Sequence, residues 1–168
     1  NFYSTQPETD NVDGGLGIVI RGLGNGNFQH LRADQSGFIL AGDAKALTLT
    51  DLNGDNRPDL VATVNSSSPK IFINKVTSGR ELVVCLNGPK GNLRGVGSRV
   101  SLQLKSGRTL VGEVHSGSSY LTGSSTDLFF SIPEADETVS LSIRSPIGET
   151  IYRPLKNSSG IITVKMEN

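Results

Sequence analysis

Apolar side chains recur at every second position over short stretches of this chain, and no stretch of ten residues keeps a 3.6-residue period. The alternation predicts strands and little or no helix. In the first part, strands are expected at residues 16–21, 28–31, 46–50, 60–64 and 70–74, separated by Gly24-Asn25-Gly26-Asn27, Gly42-Asp43 and Asn65-Ser66-Ser67-Ser68-Pro69, all dense in turn residues. A second series follows at residues 81–87, 99–105, 108–114, 127–132, 138–144, 149–153 and 161–165, with Ser106-Gly107 as a two-residue hairpin turn. Seven strands in under ninety residues predict a compact sandwich or barrel. The first series has too few strands to close on itself and reads as an antiparallel meander, with residues 76–80 as connector.

The most informative interruption is Asp51-Leu52-Asn53-Gly54-Asp55-Asn56-Arg57-Pro58-Asp59, between the third and fourth strands. Calcium takes six to eight oxygen ligands at about 2.3–2.6 Å. Asp51, Asn53, Asp55 and Asp59 offer side-chain oxygens at the required alternation, and Arg57 its carbonyl. An EF-hand shares the start of this spacing, but it needs Gly at position 6 and Glu at position 12, where this chain has Asn56 and Ala62. The flanking β-branched alternation and Pro58 place the nonapeptide between strands, not helices. A bare turn built from Asp, Asn, Gly and Pro is the competing account.

Composition trims the alternatives. Twenty glycines suit a turn-rich all-β chain, and 16 basic against 16 acidic residues leave no electrostatic footprint for nucleic acid. No apolar run approaches the roughly 18 residues of a membrane span. The chain starts at Asn1 without Met or a signal peptide, which leads to the expectation of a processed product or excised fragment.

Gly22-Leu23-Gly24-Asn25-Gly26-Asn27-Phe28, followed by residues 46–51 and the Asp-x-Asn-x-Asp-x-x-x-Asp loop, resembles the FG-GAP or VCBS-type repeat. That resemblance implies one blade of a β-propeller, here a partial one over residues 1–76, with calcium on Asp51, Asn53, Asp55, Arg57 and Asp59. Asn56 stands where the family usually has Gly, and Asn tolerates the left-handed backbone such a turn needs. Residues 80–168 resemble the ASPIC/UnbV domain through Gly95-Val96-Gly97-Ser98-Arg99-Val100, Gly117-Ser118-Ser119-Tyr120-Leu121-Thr122-Gly123-Ser124-Ser125, Leu128-Phe129-Phe130 and Ile143-Arg144-Ser145-Pro146-Ile147-Gly148. Together they imply the C-terminal end of a larger secreted, cell-surface or periplasmic protein of the cartilage-acidic-protein type, with upstream propeller repeats as its neighbours. A lone blade is unstable, so the first part is expected to pack on the second or to self-associate through exposed edges.

The remaining chemistry is sparse. His30 and His115 lack clustered partners for zinc. Cys85 lies in an apolar strand, where a buried hydrophobe is the expectation. No Gly-x-Ser-x-Gly elbow is present, and the Gly117 and Gly123 serine runs read as loop. Glu134-Ala135-Asp136-Glu137 reads as a solvated turn, and residues 91–97, with Lys90, Arg94 and Arg99 nearby, as a glycine-fixed loop without P-loop spacing. The expectation is a non-enzymatic calcium-binding module with an unidentified protein or glycan partner. The alternative is a carbohydrate-binding or adhesion domain using Tyr120, and a hydrolase comes third.

Overall fold

The computed structural model describes residues 15–117 and 122–166. In the first part, β1 (Val19–Gly22) and β2 (Phe28–Leu31) form an antiparallel ribbon, and α1 (Ala33–Ser36) is a single helical turn ended by Gly37 at φ 68°. Next, β3 (Ala44–Thr50), β4 (Asp59–Val64) and β5 (Lys70–Phe72) form a three-stranded antiparallel meander. All five expected strands are present, their ends moved by a few residues. The meander and the ribbon are separate sheets, neither of them closed.

The second part contains β6 (Arg80–Asn87), β7 (Arg99–Leu104), β8 (Thr109–Glu113), β9 (Leu128–Ile132), β10 (Thr138–Arg144), β11 (Thr150–Pro154) and β12 (Gly160–Lys165). They form two open sheets, ordered β11-β10-β7-β8 and β12-β6-β9. Every pairing is antiparallel except β12 with β6, which run parallel. Leu82 and Val84 from β6, Val100, Leu102 and Leu104 from β7, Ile132 from β9, Leu141 and Ile143 from β10, and Val164 from β12 meet in one core. Alternate residues of both sheets therefore face each other, which is sandwich packing. The predicted alternation has its physical cause here.

One local expectation needs correction. The β7–β8 connection has three residues, not the two of Ser106-Gly107: Leu104 N donates to Arg108 O at 2.9 Å and Gly107 N to Leu104 O at 3.0 Å. This is a turn followed by a glycine bulge, with Gly107 at φ 87°. Lys105 belongs to the turn because Asp136 claims the backbone N–H and the hydroxyl of Ser106 from across the sheet.

The two parts touch along one edge. Leu49 N donates to Ser124 Oγ at 3.2 Å, Ser125 N to Leu49 O at 2.8 Å and Thr48 Oγ1 to Gly123 O at 2.7 Å. Residues 123–125 thus cover the outer edge of β3, which would otherwise present unpaired backbone groups. The first part thus contacts the second here through residues 48 and 49.

Candidate metal centre

The nonapeptide forms the hairpin connection between β3 and β4, with Thr50 opposite Asp59 in the register. Asp51 nucleates it. Its Oδ1 accepts from Gly54 N at 2.8 Å and Asp55 N at 3.2 Å, and its Oδ2 from Asn56 N at 2.8 Å. Asn56 adopts φ 67°, the left-handed conformation expected of it, and that reversal aims its N–H back at Asp51. Asp55 Oδ1 accepts from Arg57 N at 2.9 Å, and Asp55 Oδ2 from the Asn53 amide at 3.1 Å. Asp51, Asn53 and Asp55 are thus gathered on one side of the turn.

Asp59 occupies a different environment. It is fully buried, and its two oxygens accept from Leu52 N at 2.9 Å and Asn74 N at 2.8 Å. The first bond anchors the loop's entry and the second holds the chain just beyond β5. Among the described residues, no group of three or more His, Cys, Asp or Glu side chains is placed to hold a metal ion. A cation here would depend on the Asn53 amide oxygen and the Arg57 carbonyl alongside the carboxylates.

The donor set fits a hard cation in its chemistry, since every candidate ligand is an oxygen and a carboxylate that accepts two or even three N–H bonds keeps a lone pair free. The loop also balances its own charge. Backbone N–H groups converge on Asp51, and Arg57 lies 3.9 Å from Asp55 Oδ2. The same guanidinium lies 3.8 Å from Glu81 Oε1 at the start of β6, and its Nε is buried without a hydrogen-bond partner. Glu81 in turn accepts from Ser131 Oγ at 2.9 Å. Arg57 is therefore divided between the loop and the sandwich, a link that residue spacing alone does not reveal.

The other candidates sort themselves by geometry. His30 and His115 are exposed, and Tyr120, Ser118 and Ser119 lie outside the described residues. Cys85 is half-buried, less enclosed than expected, and burial followed by the nearby Asp127 pushes its thiol up to about 11. Such a thiol is a poor nucleophile at neutral pH. In the 91–97 loop, Asn92 accepts from Val96 N at 2.8 Å and donates to Val96 O at 2.9 Å, so the loop is tied to itself. A side chain at Gly95 would press on Leu86 and Met166, which is why glycine stands there. Asp136 is buried, not solvated, and the Ser106 hydroxyl holds its carboxyl below the usual carboxylate range. It serves as a clamp between two turns.

Among the described residues, no helix is long and apolar enough to cross a membrane. No curated protein matches the chain. Residues 88–157, which carry β7 through β11, match the family model described as ASPIC and UnbV, so this stretch is similar to that family.

Proposed function

We propose that the chain is a non-enzymatic, calcium-stiffened interaction module of a secreted, cell-surface or periplasmic protein, in which a repeat of FG-GAP or VCBS type rests on an ASPIC/UnbV domain. The observation that carries this reading is the gathering of Asp51, Asn53 and Asp55 by direct hydrogen bonds in a hairpin loop with a left-handed Asn56. Asp51, Asn53, Asp55 and Asp59, with the Arg57 carbonyl, would hold the ion. Bound calcium would neutralise carboxylates that otherwise repel one another and so rigidify the turn. Millimolar extracellular calcium saturates even a weak site of this kind, which favours export. The exposed apolar side chains of the first part, among them Ile18, Ile20, Phe28 and Ile71, support further repeats as its natural neighbours.

Thermal unfolding with calcium and with chelator tests the metal. Calcium is expected to raise Tm, and Asp55→Ala is expected to abolish the rise without lowering the chelated Tm appreciably. Equal Tm values with calcium and chelator in the unsubstituted protein would sink the assignment.

A further inference from the structure

The sheet β11-β10-β7-β8 turns one face to the core and the other outward. Because Val100, Leu102, Leu141 and Ile143 point inward, their neighbours in the alternation point outward. Register then builds rows across the strands. Arg144 lies opposite Arg99, and in the next row Tyr152, Ser142, Ser101 and Val111 stand side by side.

Both arginines are exposed, Tyr152 is 64% exposed and Val111 47%. The guanidinium groups of Arg99 and Arg144 and the hydroxyls of Ser101 and Ser142 have no hydrogen-bond or ion-pair partner among the described residues. Like charges directly opposite one another on a sheet are destabilising, and Arg144 and Arg99 have that arrangement. Glu113 lies across from Arg99 on β8 but forms no ion pair with it. The next row is closed, since Thr109 Oγ1 donates to Gln103 Oε1 at 2.7 Å.

We propose that this open face binds an anionic polysaccharide, the sugar ring lying on Tyr152 and its carboxylate or sulfate reaching the Arg99 and Arg144 pair. An aromatic face with free hydroxyls beside it matches the apolar face and hydroxyl rim of a pyranose. Planar guanidinium groups take carboxylate and sulfate oxygens in bidentate fashion. Neighbouring strands bring side chains on one face within about 5 Å, and successive rows lie about 7 Å apart. Ring and charge are therefore offered together at the scale of one sugar unit. Two cations are few for a nucleic-acid backbone. The proposal stands independently of the calcium reading, because none of its residues touches the 51–59 loop.

The test uses the full chain, fluorescently labelled and titrated near physiological salt with polygalacturonate, dextran sulfate and neutral dextran. Binding is expected with at least one of the two charged polymers and not with dextran, and the polymer that binds identifies the anionic group. The double substitution Arg99→Gln with Arg144→Gln is expected to weaken binding at least tenfold and Tyr152→Ala several-fold. Tyr152→Phe, which keeps the ring, and Lys156→Gln, away from the face, are expected to leave affinity unchanged. Circular dichroism verifies that each variant is folded. No binding to either charged polymer would overturn the proposal. So would affinity indifferent to Tyr152→Ala, or equal affinity for polyglutamate or a single-stranded oligonucleotide, since each of these indicates charge attraction without sugar recognition.

Discussion

The two parts of this molecule obey the same alternation of apolar and polar positions and reach opposite ends. In the second part the inward residues of one sheet meet those of another, and Leu82, Val100, Leu102, Ile132, Leu141, Ile143 and Val164 lose all contact with solvent. In the first, the buried cluster is Leu40, Ala62 and Val64, supported by Phe38, Ala44 and Phe72. Leu47 and Leu49 on β3 remain 38% and 41% exposed although both are paired with residues of β4. Hydrogen-bonded strands thus supply only half of a core. The other half is an opposing layer, and fully burying one leucine or isoleucine contributes about 1.5–3 kcal/mol once that layer is present. Without it, the meander relies on the strip of residues 123–125 along its edge and on polar ties such as Asp59 and Arg57.

The comparison breaks most readily at the sandwich. Leu102→Ala, at a fully buried site, is expected to destabilise the protein by about 2–5 kcal/mol, whereas Leu47→Ala is expected to stay below about 1 kcal/mol. Urea denaturation of both variants measures the difference. Equal losses would mean that the first part has an opposing layer after all.

A smaller effect sharpens the claim that polar ties substitute for packing in the meander. Asp59→Ala takes the buried acceptor away from Leu52 N and Asn74 N, an expected loss of about 1–3 kcal/mol. Asp55→Ala, at a half-buried site, should lose less when chelator is present. Hydrogen exchange at Leu52 and Asn74 reads the effect locally, and protection unchanged in the Asp59 variant would refute it.

The smallest expected effect concerns acid. The folded carboxyl of Asp136 titrates below its unfolded counterpart because the Ser106 hydroxyl donates to it, with the Ser106 and Glu137 backbone N–H groups adding to the effect. Stability from this group is therefore present above the ordinary aspartate range, near pH 4, and is lost as pH falls through the lower folded value. Ser106→Ala is expected to move the acid-unfolding midpoint upward while leaving stability at pH 7 to 8 nearly independent of pH. Coincident acid transitions for the two proteins would show that the hydroxyl is not what holds the carboxylate.

Strands were legible because a half-buried sheet imposes period two on local sequence, and both series of strands follow that rule. What failed to show was whatever depends on pairing between distant segments. Nothing around Glu134-Ala135-Asp136-Glu137 indicates that Ser106 lies beside it, so a clamp looked like a solvated turn. Tyr120 has its serine neighbours in the sequence itself, whereas Tyr152 gains its own only through the registers of β11 with β10 and β10 with β7. In the 51–59 loop, the ligand-type spacing and the left-handed Asn56 could be read directly. The partition of labour could not, because Asn74 claims an oxygen of Asp59 from beyond β5 and Glu81 draws on Arg57 from another sheet.

The parallel alliance of β12 with β6 has a consequence for biogenesis. These strands flank residues 88–157 and bring the last described residues back beside the first of their unit, with Val164 and Met166 entering the core. Such distant partners make a slow-closing topology. A nascent chain must therefore hold β6 in waiting until the ribosome has released β12, and during that interval its apolar face is exposed to any chaperone in reach.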